Sequence, residues 1–314
     1  MTVAFYKLHV SGDDFLLVDR TKPAHETLLA RPELLGDLSR AILDRRRGVG
    51  ASAIIFTGSP AISKTPGPRD TLPVRIFRRD GSEDYKGGDQ YLCIARWAFD
   101  TGQLAGARIS ISTPSGDRLI SVVDSRSFSL EMPPPRSLDN SERELEHGSA
   151  RDARLDLVLD GVPATAWLVG FGRPYAVAIR TEPEPKIRRI RAALSVAVPD
   201  ACVVVLSPAG RDLVRFIAPE SADRVEASAA SLVAAILSGR TDDEAAAEWR
   251  GRGPAAAFAD FGTPGTKPPV SIDSGPAVLI DRGRFYVDWK RRDRILVTGN
   301  AEYAFEGNFD YFID

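Results

Sequence analysis

Histidine, cysteine and methionine are scarce in this chain, with three, two and two residues among 314. His9, His25 and His147 never pair at metal-ligand spacing, and Cys93 and Cys202 give neither a disulfide framework nor a zinc pattern. No metal is therefore expected, and both cysteines, set in apolar runs, read as small buried hydrophobes. No stretch approaches the ~18–20 apolar residues of a membrane span. The opening MTVAFYKLHVSGDDF meets polar residues too early for a secretory signal, so the expected location is cytoplasmic, with no membrane partner. A basic surplus is missing too. Lys and Arg number 41 against 43 Asp and Glu, a net charge of −2, which argues against a nucleic-acid partner.

What remains is an ordinary globular composition, 43% hydrophobic and 27% charged, in a chain long enough for two domains. The stretch VRIFRRDGSEDYKGGDQYLCIARWAF, residues 74–99, organises the reading. A β-branched and aromatic strand, Val74–Phe77, runs into a polar loop, passes Gly87-Gly88 and opens a helix carrying Leu92, Cys93, Ala95 and Arg96. A helix start of this kind offers free N–H groups to an anion. Val214-Arg215-Phe216-Ile217 repeats Val74-Arg75-Ile76-Phe77 at an offset of 140, which also pairs Leu92 with Leu232 and Ala95 with Ala235. Two related halves facing one cleft are the expected organisation.

In chain order, residues 2–19 predict a hairpin around Ser11-Gly12-Asp13-Asp14, and 32–46 predict a helix stopped by Gly48. Strands follow at 53–56, 109–113, 119–123 and 127–132. The chain from Pro133 to about Arg154 is polar and turn-rich and reads as a linker between a domain at 1–133 and another at 150–299. The second half replays the plan, with strands at 155–159, 165–169, 175–179, 201–206 and 214–217 and helices near 185–195 and 228–238. Residues 239–268 have no counterpart in the first half and read as a surface insertion or a lid. Strands at 277–281, 284–289 and 294–298 close the second domain.

These residues resemble the diaminopimelate epimerase family. FYKLHVSGDDFLLVD is similar to its opening Gly-Asn-Asp-Phe turn, and RRRGVGASAIIF to its Gly-(Ile/Val)-Gly segment. RIFRRDGSEDYKGGDQYLCIAR is similar to its Asp-Gly-Ser-Glu stretch with a Cys-Gly-Asn-Gly helix start. GFGRPYAVAI resembles the Gly-Asn-Pro-His strand, and LVTGNAEYAFEG the closing Thr-Gly-X-Ala segment. The resemblance implies an α/β (α+β) fold of two pseudo-symmetric halves. Each would be a curled, mostly antiparallel sheet around a central helix, with strand 300–314 returning to the first domain. It implies no cofactor. Relatives are often homodimers, and nothing in this sequence marks an interface.

The family's chemistry is not kept. Its members use a thiolate and a thiol, one from each half, to remove and deliver an α-proton. Those cysteines align with Gly87 and Ala227, which hold no proton to give. Cys93 and Cys202 fall elsewhere and do not replace them. Substrate-binding positions differ as well. Family asparagines correspond to Asp13, Arg78 and Asp200, the helix-start Asn-Gly to Asp89-Gln90, and the Asn and His of the fourth motif to Arg173 and Tyr175. The Glu-Arg pair becomes Ala218-Pro219, and the Gly-Ser at the second helix becomes Ser228-Ala229. Standard diaminopimelate epimerisation is excluded on mechanism.

The candidate site therefore collects Asp13, Arg78, Gly87, Gly88, Arg173, Asp200, Asp223, Glu226, Ala227 and Ser228 as binding positions for a small anionic metabolite. Asp89 would be the base, with Tyr85, Lys86 or Tyr175 as acid, in an isomerase of a specialised pathway. Phenazine-pathway isomerases resemble this architecture and work with acidic residues. A carboxylate in a water-poor cleft becomes a better base. Against this, Asp89 is equally an ordinary helix-start residue, and the dipole there favours its charged form. Gly87-Gly88 equally reads as a turn needing positive φ. Two further readings stand: an inactive paralogue that binds a ligand or partner, and a cyclase, hydrolase or lyase on the same scaffold.

Overall fold

The computed structural model describes residues 1–25, 28, 30–58, 71–103, 107–138, 144, 153–159, 162–179, 184–208, 213–217, 223–237, 277–280, 283–291 and 294–312. The insertion predicted at 239–268 and Ala218-Pro219 lie outside them. The chain divides into two units, Met1–Leu130 with Asn300–Asp314, and Glu131–Gly299.

The first unit contains β1 (Thr2–Val10), β2 (Asp13–Asp19), α1 (Leu34–Ile42), β3 (Ala53–Thr57), β4 (Thr71–Arg78), α2 (Asp89–Asp100), β5 (Arg108–Thr113), β6 (Gly116–Val122) and the start of β7 (Ser127–Met132). Short β8 (Arg136–Ser137) lies in the second unit. There it is followed by β9 (Arg154–Leu159), β10 (Val162–Gly170), β11 (Pro174–Ile179), α3 (Glu184–Ala197), β12 (Cys202–Pro208) and β13 (Leu213–Ile217). Next come α4 (Arg224–Leu237), β14 (Ala277–Ile280), β15 (Gly283–Arg291) and β16 (Arg294–Asn300). The last strand, β17 (Glu302–Asp310), pairs antiparallel with β1 in the first unit.

The strand order is the same in both units. β2 runs parallel to β3, β3 antiparallel to β4, and β4 parallel to β5. Likewise β11 runs parallel to β12, β12 antiparallel to β13, and β13 parallel to β14. Among the described residues one α-helix lies in the connection of each parallel pair, and a parallel connection needs such a crossover. The β4 and β13 strands carry the repeated Val-Arg motif, so the offset of 140 marks equivalent strands.

Helices α2 and α4 are the central ones. From Asp89 to Ala98, only Arg96 of α2 escapes full burial, and the helix touches β1, β2, β3 and β6. An α-helix buried on all sides needs a sheet curled around it. Helix α4 touches β10, β11, β12, β14 and β15 in the same way. The other helix of each unit covers the outer face. Leu35, Leu38 and Ile42 of α1 pack on Leu16, Val18, Ile54, Phe56 and Phe77, while Ile190 and Leu194 of α3 pack on Ala176, Ala178, Val203 and Val205. No helix among the described residues is long and apolar enough to cross a membrane.

Local chemistry corrects several boundaries. Helix α1 ends at Ile42, short of the predicted 46, because Asp44 Oδ1 accepts the Arg46 and Arg47 N–H groups in a tight turn. The Val49 and Gly50 N–H groups then both return to the Ile42 carbonyl. Within the predicted linker, Arg136 and Ser137 pair with Gly170 and Val169 of β10. The β1–β2 turn uses two consecutive positive φ angles, 50° at Ser11 and 89° at Gly12, which matches the twist of a two-residue hairpin and fixes Asp13 as the first residue of β2. Gly81, at φ 80°, closes the turn after β4, where an added Cβ would sit 2.8 Å from the Gly36 carbonyl. Gly81→Ala should cost about 1–3 kcal/mol in urea unfolding, since both the backbone angle and the space oppose a side chain.

Candidate functional site

In the first unit the site grows out of the turn after β4. Asp80 Oδ1 accepts the Ser82 N–H at 2.9 Å and hydroxyl at 2.5 Å, and the chain then doubles back along β4. The Arg78 N–H donates to the Ser82 carbonyl at 2.8 Å and the Asp84 N–H to the Ile76 carbonyl at 3.0 Å. Arg78 is exposed and ion-paired with Asp84, whose other oxygen accepts the Lys86 N–H at 3.0 Å. Lys86 itself is exposed. Gly87, at φ 105°, swings the chain into α2, so Gly88 is the N-cap without any side-chain cap and Asp89 is the first helical residue. Gly87 therefore performs the turn that the sequence allowed for.

Asp89 is fully buried, where carboxylates are rarely found. One helical turn on, Cys93 is also fully buried; burial pushes its thiol well above the usual value, and the charges of Asp89 and Asp13 push it further. The structure thus gathers Asp13, Asp89 and Cys93, with the sulfur held protonated. Ser52, a residue the sequence did not single out, donates its hydroxyl to Asp13. Behind it, Asp14 binds Arg45 at 2.7 and 3.3 Å and Lys7 at 3.0 Å. Burial alone would raise the Asp14 carboxyl, but these two cations hold it below the usual range.

Tyr85 is engaged differently from its expected role as acid to Asp89. Its hydroxyl donates to Glu83, which also pairs with Arg75. Burial raises the phenol above its ordinary value while Arg75 opposes that shift.

The second unit departs further from expectation. Helix α4 starts at Arg224, not near Ser228, because Asp223 caps it. The Asp223 Oδ1 accepts the Glu226 N–H at 2.8 Å and its carbonyl the Ala227 N–H at 3.0 Å. Ala227 and Ser228 are consequently the fourth and fifth helical residues, both fully buried, and the Ala227 N–H is not open to a ligand. The offset of 140 would start this helix at Ala229, so α4 carries an extra turn that α2 lacks.

That extra turn brings Glu226 to Tyr175. The phenol donates to Glu226 Oε2 at 2.9 Å, and Glu226 and Tyr175 are 1% and 0% exposed. Burial, followed by the charges of Glu226 and Asp223, pushes the Tyr175 phenol far up, so it remains a donor. Cys202, the first residue of β12, is the register partner of Tyr175 on β11, so the two side chains leave the same face of the sheet. Burial pushes its thiol up to about 11; Arg173 pulls the other way, while Glu226 and Asp223 add to the rise. The sequence placed Cys202 only on a strand. The parallel pairing, which joins it to Tyr175, was the missing signal. Asp200 lies exposed in the turn before β12, and Arg173 is half-buried in the turn before β11.

Neither cysteine is poised as a thiolate. At pH 8 about one Cys202 in a thousand would be ionised. A thiol-reactive disulfide reagent should therefore label the folded protein slowly, Cys93 not at all, and both quickly once urea unfolds the chain. Among the described residues no cluster of His, Cys, Asp and Glu forms a metal-holding group.

No family model matches the chain. It is 26% identical to the O-ureido-serine racemase of Streptomyces lavendulae over 98% of this chain and 96% of that protein. Diaminopimelate epimerase of Pelotomaculum thermopropionicum is 29% identical over 55% of this chain and 59% of its own length. Among solved structures, a hydroxyproline epimerase from Agrobacterium vitis with bound trans-4-hydroxy-L-proline superposes with a TM-score of 0.58 at 15% identity, covering 98% of this chain and 91% of that one, a likeness of fold. This is a divergent diaminopimelate-epimerase-like chain. At its two helix starts it carries Gly87 in a left-handed turn and Ala227 inside a helix.

Proposed function

We propose that this protein is a cofactor-independent isomerase that moves a proton on a small carboxylate-bearing metabolite with carboxylates in place of cysteines. One observation carries the reading. Each central helix holds a buried carboxylate in its first turn, Asp89 in α2 and Glu226 in α4. Both stand close to the positions, Gly87 and Ala227, that match the family's cysteines. Asp89 is the base in this reading. In the second unit Glu226 fixes the hydroxyl of Tyr175, a phenol held protonated by its surroundings. The similarity to proteins named for racemase and epimerase activities on amino acids supports a proton shift next to a carboxylate.

The test is proton exchange. Small α-amino and hydroxy acids are incubated with the protein in deuterated water and deuterium at the α-carbon is followed by mass spectrometry. Enzyme-dependent incorporation into one substrate class is the expected result. Saturable binding of an acid without any incorporation would support the other reading, a ligand-binding paralogue, which the replacement of both cysteine positions favours.

A further inference from the structure

Asp13 opens β2 and Arg20 immediately follows its other end, seven residues or about 23 Å along the strand. Arg20 is only 3% exposed. Its Nε–H donates to the Thr57 carbonyl at 3.0 Å, and among the described residues that is its one hydrogen bond. Asp19, its neighbour in sequence, turns away and accepts from the Thr21 N–H at 3.0 Å and the Thr21 hydroxyl. Arg75 stands in one cross-strand row with Phe56 and Val18, and Val18 is two residues before Arg20, so both arginines belong to the same face of the sheet. Burial, the larger cause, and the charge of Arg75 lower the Arg20 guanidinium to about 10, with Tyr85 opposing. Among the described residues, the carboxylate next to Arg75 is Glu83, and it is already occupied on both oxygens, Oε1 by Arg75 and Oε2 by Tyr85. Glycine at 58 lets the backbone pack closely against this side chain: an added Cβ would lie 3.3 Å from Arg20 Nη2 and 3.1 Å from Pro73. The Arg75 side chain, 33% exposed, gives the cluster an opening to solvent.

A guanidinium removed from water without a counter-ion is strongly disfavoured, and a second arginine beside it makes matters worse. An oxyanion would relieve both, since a guanidinium presents two parallel N–H donors to a carboxylate or a phosphate group. We propose that Arg20 and Arg75 form a binding site for a small oxyanion at the end of β2 and β3 remote from Asp13. The site is separate from the proton-transfer residues and does not depend on the isomerase reading. Its ligand is a free carboxylate or phosphate, or such a group on a larger metabolite.

Thermal unfolding of the full chain in chloride buffer, with inorganic phosphate or acetate titrated at constant ionic strength, tests the site. The wild-type Tm should rise saturably with at least one of the two anions, and the tighter one identifies the preferred group. Arg20→Met keeps the bulk of the side chain and removes the charge. It should abolish the response and unfold no lower than wild type in chloride alone. Arg75→Gln should weaken the response at least about tenfold, the loss expected for one charged hydrogen-bond partner, and it serves as the reading if Arg20→Met does not fold. A wild-type Tm indifferent to both anions overturns the proposal. So does an equal saturable rise in wild type and in the arginine variants.

Discussion

Trp97→Ala is expected to destabilise the first unit by about 3–5 kcal/mol in urea unfolding, and Trp97→Phe by less than about 1.5 kcal/mol. Trp97 is 1% exposed on α2, the helix that β1, β2, β3 and β6 surround. Truncation leaves a cavity that a closed sheet collapses into poorly, which puts the cost at the upper end for an aromatic residue. Phenylalanine restores most of the volume. It also removes an indole Nε1–H that is buried without any acceptor, a group whose desolvation the folded state must otherwise bear. The two losses and gains nearly offset. If phenylalanine costs as much as alanine, the indole N–H has a partner and the packing argument fails. The consequence reaches the site, because α2 holds Asp89 and loosening its middle turn loosens its start.

The reading from sequence succeeded where the physics is local and repetitive. Val74–Phe77 and Val214–Ile217 are strands because β-branched and aromatic residues suit a pleated, covered surface, and both occupy the same place in their unit's strand order. Leu92 and Leu232 are both buried, as a repeated core position requires. The repeat failed at the second helix start. A capping aspartate four residues ahead of Ala227 extends α4 backwards, and a hydrogen-bonded cap outweighs the pattern carried over from the first half. Tertiary pairings were invisible for a different reason. Nothing within a few residues of Cys202 states that β12 lies parallel to β11 in the register that sets it beside Tyr175. Similarly, Tyr85 is two residues from Glu83 in sequence, but its link to Arg75 depends on the chain doubling back along β4. Nothing in the residues around Arg20 marks it as buried, because its burial comes from strands distant in sequence.

Asp89→Asn should slow α-proton exchange into the substrate by about 10²–10⁴-fold, the usual worth of a positioned general base. The substitution keeps the shape of the side chain and removes only its ability to take the proton. Substrate affinity should change little, so the loss belongs to kcat rather than KM. Glu226→Gln is the informative companion. An amide still accepts the Tyr175 hydroxyl, so the phenol keeps its place, and the exchange rate should fall less than with Asp89→Asn. The reverse ranking, with Asp89→Asn within about twofold of wild type and Glu226→Gln inactive, would move the base to the second unit. Retention of full exchange by both variants would remove carboxylate proton transfer altogether. In that case the fully buried charge at the start of α2 would be a structural feature of the helix and nothing more.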